Sequence, residues 1–188
     1  PAFLVTGRRV TLEGHCTEIT TALGLEWLRT RPKDKPFFLM LQNKAPQRAW
    51  EPDERNKALF KNRVSPEPDT LWDDYATRPA ALPANEQTVA RDLTRRDLKL
   101  EPPADLQGPA RNQWLNATPM EMTVDGKTLT GRELVRWKYQ RYMQDYLACA
   151  QGVDDRVGQI LGHLEQSGLA TNTIVIYSAD NGWYLGDL

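Results

Sequence analysis

An acid and an amide follow an apolar segment near the end of this sequence. Residues 173–178 (TIVIYS) lead through one alanine to Asp180 and Asn181, and a glycine comes next. Carboxylate and amide oxygens are the hard donors that calcium and magnesium prefer. The same Asp-Asn-Gly pattern is common in plain turns, because asparagine and glycine tolerate left-handed backbone angles. From the residues alone, a metal site and a plain turn both stay open.

A second polar set follows the apolar segment 37–41 (FFLML). Lys44, Gln47 and Arg48 come shortly after its end. Their side chains donate hydrogen bonds, which suits the oxygens of a sulfate or phosphate ester, although such a stretch is also typical of a solvated loop. If the two apolar segments are parallel neighbours, their polar exits share the rim where open α/β sheets usually bind ligands. The two sets would then form a metal-assisted site for a sulfate or phosphate ester.

The elements that must hold these residues are those of an α/β protein. Each apolar segment is short and continuously apolar, which predicts a strand buried on both faces. Helical periodicity predicts a helix capped by Thr17 before the first segment, and a long helix from about Thr130 to a terminating Gly168 before the second. The chain begins with a predicted strand at residues 2–5 and a turn at Gly7. Strands connected through helices in this order indicate an α/β fold.

The composition excludes several classes of function. With 24 basic and 25 acidic residues, the net charge is −1, which gives no reason to expect nucleic acid or an anionic membrane as a partner. Cys16 and Cys149 stand far apart and form no zinc-binding spacing. No apolar run is long enough to cross a bilayer. Twelve of the 13 prolines lie between Pro32 and Pro119, so the middle of the chain is predicted to be irregular with short helices.

The order of these pieces resembles the sulfatase family, within the alkaline phosphatase-like superfamily. Three stretches carry the resemblance: GHCTEITTALGLEWL at residues 14–28, KPFFLMLQNKAPQRAWEPDE at residues 35–54, and the long block 138–187 that ends in SADNGWYLGD. They are most similar to bacterial iduronate-sulfatase-like and mucin-desulfating enzymes. The resemblance implies a mixed sheet flanked by helices, incomplete in this chain. Residues 1–188 would be part of a sulfatase catalytic (N-terminal) domain, with an irregular proline-rich insertion at about 44–128.

The resemblance also implies a function and a site. A longer parent protein would hydrolyse sulfuric esters, with a sulfated carbohydrate or another sulfate ester as its partner and neither nucleic acid nor membrane involved. Asp180 and Asn181 would bind Ca²⁺, and Lys44 and Gln47 would bind the substrate. By the same resemblance, the parent is expected in the periplasm or secreted.

The family's nucleophile is expected outside this chain. It is a formylglycine made from cysteine or serine in a C/S-x-P/A-x-R motif, and neither Cys16 nor Cys149 stands in one. The aspartate pair that completes the metal site is also expected elsewhere, so the chain is interpreted as an interior fragment that is inactive alone. Inside the chain, related sequences carry histidine where Gln47 stands. Glutamine still donates a hydrogen bond, but it carries no charge and is not an acid near neutral pH.

Two other functions stay open at this point. One is phosphoryl transfer by a member of the same superfamily, for which the nucleophile segment would contain threonine or unmodified serine. The other is non-catalytic binding of a sulfated glycan, for which the neutral Gln47 is the best support. Binding of a glycan without turnover would favour the second of these.

Overall fold

The computed structural model describes residues 1–84, 87–180, 182 and 185–186. The chain divides into two compact units. The first unit consists of Pro1–Leu59 and Leu147–Ser178, and the second consists of Phe60–Tyr146 and Ala179–Leu188. Within the described residues, every helix is too short or too polar to cross a membrane.

The first unit opens with the predicted hairpin. Strand β1 (Ala2–Val5) pairs antiparallel with β2 (Arg8–Thr11). Thr6 and Gly7 connect them with positive φ angles of 48° and 80°. Two successive positive φ angles define the tight turn whose twist matches paired strands, and glycine accepts such an angle without steric cost. The predicted turn at Gly7 is confirmed.

Helix α1 (Cys16–Thr30) begins earlier than the sequence predicts. His15 is the N-cap residue, with extended backbone, and its carbonyl accepts a hydrogen bond from the Ile19 amide at 3.0 Å. Thr17 is already buried in the first turn, and its carbonyl accepts from the Thr21 hydroxyl at 2.9 Å. The capping role predicted for Thr17 is therefore wrong. The helix ends at Thr30, and the C-cap residue Arg31 leaves the helical conformation because a proline follows.

The two apolar segments are not the buried strands that their composition predicts. Neither pairs into a sheet within the described residues, where the two sheets are the hairpins. Phe38 is 81% exposed, Met40 62%, Ile174 89% and Ile176 84%. A strand is buried on both faces only when a layer of structure covers each face. Within the described residues, no such layers cover both faces of residues 37–41 or 173–178.

One face of residues 37–41 is nevertheless well packed against α1. The Phe37 ring meets the Trp27 ring edge-on, with centroids 5.9 Å apart, and the Arg31 guanidinium lies 4.3 Å from the Phe37 centroid. Leu41 lies so close to Gly24 that a Cβ on this glycine would be 2.7 Å from a Leu41 methyl carbon. Helix α1 thus fixes the segment from which the Lys44–Gln47 loop departs.

The long helix is confirmed. Helix α5 runs over Gly131–Gln166, 36 residues, and begins next to the predicted Thr130. Gly168 follows it with a φ of 70°, and the Leu169 amide bonds back to the Leu164 carbonyl at 2.9 Å. This left-handed glycine satisfies the last carbonyls of the helix, as predicted from the sequence.

The proline-rich middle contains short helices, as predicted, and one hairpin that the sequence analysis did not predict. The hairpin pairs β3 (Glu121–Val124) with β4 (Lys127–Thr130). The helices are α2 (Glu54–Phe60), a 3₁₀ helix (Asp69–Trp72), α3 (Val89–Asp92) and α4 (Gly108–Asn116).

A lysine is buried in the second unit. The Lys138 side chain is nearly inaccessible, and its ammonium donates to the Ala90 carbonyl at 2.8 Å. Burial, helped by the nearby charge of Arg95, lowers the pKa of Lys138 to about 8 from the ordinary 10.5. A charged group with one carbonyl partner in an apolar surrounding opposes folding.

This buried ammonium should make stability rise with pH. Between about pH 8 and pH 10.5 the folded chain has released a proton that the unfolded chain still holds, so the free energy of unfolding increases with pH. Replacing Lys138 with methionine should abolish that rise and add about 1–2 kcal/mol to the free energy of unfolding at pH 7. Urea unfolding at pH 7 and pH 10 measures both effects, with Lys35→Met as the exposed control. An unchanged pH dependence in Lys138→Met would show that the ammonium is not desolvated.

Candidate functional site

The loop after residues 37–41 presents two side chains to solvent. The Gln47 amide donates to the Lys44 carbonyl at 2.9 Å, and the Trp50 amide donates to the Gln47 carbonyl at 3.0 Å. Trp50 is buried, whereas the Lys44 and Gln47 side chains are exposed. In the part of the chain that the structure describes, neither of these two side chains has a hydrogen-bond partner. The backbone thus shapes the loop, and the ammonium and the amide remain available to a ligand.

A charged carboxylate supports this loop from its C-terminal end. Asp53 precedes α2 and accepts two hydrogen bonds from Asn56, from the backbone amide at 3.0 Å and from the side-chain amide at 2.8 Å. Burial raises the pKa of the Asp53 carboxyl, but these hydrogen bonds and the charges of His15 and Arg156 outweigh it and hold the pKa below its ordinary value. Asp53 therefore stays ionised near neutral pH and caps α2.

Two further contacts hold the same stretch in place within the first unit. His15, at the start of α1, donates from Nε2 to the Glu51 carbonyl at 2.8 Å. Gly152, in α5, faces Asp53 so closely that a Cβ there would lie 3.0 Å from Asp53 Oδ2 and 3.6 Å from Asn56 Nδ2. The loop that carries Lys44 and Gln47 therefore ends on a support built from α1, α2 and α5.

The Gly152 contact makes a testable contrast between two glycines of α5. Alanine at position 158 meets open space and should raise the free energy of unfolding by about 0.5–1 kcal/mol, because alanine favours the helix. Alanine at position 152 presses on the Asp53 carboxylate, which Asn56 holds in place, and should lower the free energy by about 1 kcal/mol. Urea unfolding of Gly152→Ala and Gly158→Ala measures both. Equal gains in the two variants would show that the Asp53 carboxylate moves aside freely.

The structure describes one of the two predicted metal ligands. Asp180 is described and exposed, whereas Asn181 lies outside the described residues. Among the residues that are described, no group of three or more His, Cys, Asp or Glu side chains is arranged to hold a metal ion. The shared rim of Lys44, Gln47, Asp180 and Asn181 stays a prediction.

The two cysteines differ in how accessible they are to solvent. Cys149 is buried in α5, and Cys16 is partly exposed as the first residue of α1; within the described residues neither forms a disulfide. Because neither stands in the formylglycine motif, the expectation of a nucleophile outside this chain is unchanged.

The family model and the two relatives described next are all sulfatases. The sulfatase family model matches residues 5–187. The N-acetylglucosamine-6-O-sulfatase of Bacteroides thetaiotaomicron is 34% identical over 204 aligned residues, which cover 100% of this chain and 37% of that protein. Mouse (Mus musculus) iduronate 2-sulfatase is 38% identical over 48 residues, or 26% of this chain and 9% of that protein. The chain thus spans less than half the length of either relative.

A solved structure extends the similarity to the fold. It is described as a complex with its substrate, D-glucosamine-2-N,6-O-disulfate, and matches with a TM-score of 0.77 at 33% identity. The match covers 99% of this chain and 41% of the solved chain. The architecture is accordingly a partial alkaline phosphatase-like fold of helices and small sheets, as the family resemblance implies. Since the family match runs through nearly the whole sequence and the fold agrees with it, the chain belongs to the sulfatase family.

Proposed function

We propose that this chain is part of the catalytic domain of a longer sulfuric ester hydrolase that desulfates a carbohydrate. The observation that carries the proposal is the 34% identity to an N-acetylglucosamine-6-O-sulfatase across the full chain. The bound D-glucosamine-2-N,6-O-disulfate of the similar solved structure supports a glucosamine unit with a 6-O-sulfate as the substrate. We refer below to the protein that contains this chain as the longer enzyme.

In this proposal, the exposed loop binds the sulfate group. The Lys44 ammonium and the Gln47 amide have no partner in the described residues, so binding an ester oxygen breaks no existing hydrogen bond. Lys44 would supply a charge-assisted hydrogen bond and Gln47 a neutral one. Both would stabilise the negative charge that develops on the oxygens as the S–O bond breaks. The support from Asp53, His15 and Gly152 would keep the donors oriented.

The donor chemistry of Asp180 and Asn181 suits a calcium ion, since both side chains offer hard oxygens. The two of them would hold the ion together with donors outside this chain, because a calcium site usually takes about 6–8 oxygens. When bound, calcium would neutralise ester oxygens, and a formylglycine from outside this chain would supply the nucleophile. Within this chain, the assigned roles are metal binding by Asp180 and Asn181 and substrate binding by Lys44 and Gln47.

Sulfate release from N-acetylglucosamine 6-sulfate by the longer enzyme tests the proposal. Ion chromatography measures the product, and N-acetylglucosamine 6-phosphate is the matched ester. We expect release of sulfate and much slower release of phosphate. Faster release of phosphate would favour phosphoryl transfer, and binding of the sulfated sugar without release would favour a non-catalytic binding protein. Either result would overturn the proposed function.

A further inference from the structure

Two arginines of α5 lie over one tryptophan in the second unit. Arg132 Cζ is 5.0 Å and Arg136 Cζ is 5.7 Å from the centroid of the Trp72 ring. Both distances are within the range of cation–π attraction. The arginines are four positions apart in the helix and therefore share a face. Trp72, Arg132 and Arg136 are called the arginine–tryptophan cluster below.

The cluster keeps most of its hydrogen-bond donors free. Arg136 donates from Nε to a Glu67 carboxylate oxygen at 3.1 Å, yet 57% of its side chain is exposed. In residues 1–84 and 87–180, no carboxylate lies within ion-pair distance of Arg132. Its neighbour Glu133 is engaged by Lys127 at 2.8 Å. Within the cluster itself, two guanidinium groups are thus paired with one carboxylate, that of Glu67.

Helix stability does not explain why two arginines stand at this position. They lie in the first two turns of α5, which begins at Gly131. The N-terminal turns of a helix favour acidic side chains, because the backbone amides there carry partial positive charge. A residue choice that opposes a local preference without a compensating ion pair is typical of a functional surface. Arg132 is such a residue among those described.

We propose that the arginine–tryptophan cluster binds a sulfate group of a sulfated carbohydrate, on a sugar other than the one whose ester is hydrolysed. This inference rests on the proposed function, which makes a sulfated sugar chain the partner. A planar guanidinium binds an oxyanion through two parallel hydrogen bonds, which an ammonium cannot do. Stacking on Trp72 already restricts both side chains, so less conformational freedom is lost when the anion binds.

Calorimetric titration of the longer enzyme with a heparin-derived hexasaccharide tests the cluster. The double variant Arg132→Gln/Arg136→Gln should bind about tenfold more weakly, because two charge-assisted contacts are lost. The control Arg8→Gln/Arg111→Gln removes the same charge from two exposed arginines elsewhere and should change the affinity less than about twofold. Arg132→Lys/Arg136→Lys keeps the charge but not the fork geometry and should lose about threefold.

Two further arms identify the ligand. An unsulfated hexasaccharide of the same backbone should not bind detectably, and inorganic sulfate should compete only at far higher concentration than the hexasaccharide. Equal weakening by the control pair would show general charge attraction and overturn the proposal. So would inorganic sulfate that binds as tightly as the sugar chain, because the cluster would then be a simple anion site.

The two proposals fail separately. If the longer enzyme releases sulfate from the monosaccharide while the cluster variant binds the hexasaccharide like the unsubstituted chain, the cluster proposal is wrong and the proposed function stands. If hexasaccharide binding depends on the cluster but no sulfated sugar is hydrolysed, the cluster binds sulfate and the proposed hydrolase function is wrong.

Discussion

Replacement of Lys44 by alanine is expected to lower the turnover number of the longer enzyme on N-acetylglucosamine 6-sulfate by about 100-fold. The expectation follows from the exposed ammonium, which lacks a partner among the described residues. A donor aimed at oxygens that gain charge in the transition state accelerates the reaction more than it strengthens ground-state binding. Steady-state kinetics on the sulfated sugar measures the change.

The Lys44 test can be separated from damage to the loop. Lys44 holds the loop through its backbone carbonyl, which accepts from the Gln47 amide and is unaffected by a change of side chain. Lys35→Ala, which removes an exposed lysine just before the same segment, is the matched control and should leave turnover within about twofold. A loss of less than about threefold in Lys44→Ala would place Lys44 outside the site.

Replacement of Gln47 by histidine is expected to raise turnover on the same substrate about tenfold. A charge-assisted hydrogen bond contributes roughly 1.5–3 kcal/mol, against about 1 kcal/mol for a neutral one. A difference of about 1.4 kcal/mol in the barrier corresponds to a factor of ten in rate. An imidazole near its ordinary pKa can also carry a positive charge or donate a proton, which an amide cannot. The kinetics should be followed from about pH 6 to pH 8, where a histidine effect changes with pH.

The Gln47 substitution also leaves the loop backbone intact. Gln47 takes part in the turn through its backbone amide and carbonyl, while its side chain is exposed. Gln42→His introduces the same side chain at another exposed position of this stretch and should change turnover less than about twofold. Equal or lower turnover in Gln47→His would mean that glutamine is adapted to this substrate or that position 47 does not contact it.

Local signals in the sequence predict the local structure well. The turn at Gly7, the long uninterrupted helix and its end at Gly168 all follow from residue types that restrict the backbone nearby. The predicted cap of α1 lies two residues too late, because threonine is a good capping residue but His15 already provides the first carbonyl. Helix boundaries are commonly uncertain by one or two residues.

Features that depend on distant partners are not predictable in the same way. The apolar composition of residues 37–41 and 173–178 predicts burial, but burial requires covering layers, and the chain spans only 37% of its N-acetylglucosamine-6-O-sulfatase relative. From the sequence, Gly152 only weakens the helix. The structure shows the reason for a glycine there, because the Asp53 carboxylate packs closely against it. Asp53 had a usable signal, since aspartate is one of the preferred residues just before a helix.

The candidate site likewise has a part that local sequence determines and a part that depends on distant residues. Lys44 and Gln47 are exposed, as polar side chains of a loop after a packed segment commonly are, and their substrate-binding role stays a prediction. Their proximity to Asp180 and Asn181 depends on how the two apolar segments lie in a complete sheet. Crystallography measures this proximity directly.

A crystal structure of the longer enzyme with bound N-acetylglucosamine 6-sulfate would provide that measurement. We expect the sulfate group within hydrogen-bond distance of Lys44 Nζ and Gln47 Nε2, with a calcium ion held by Asp180 and Asn181 against the same sulfate. A sulfate bound away from Lys44 and Gln47, or a metal ion that does not contact Asp180 and Asn181, would contradict the shared site.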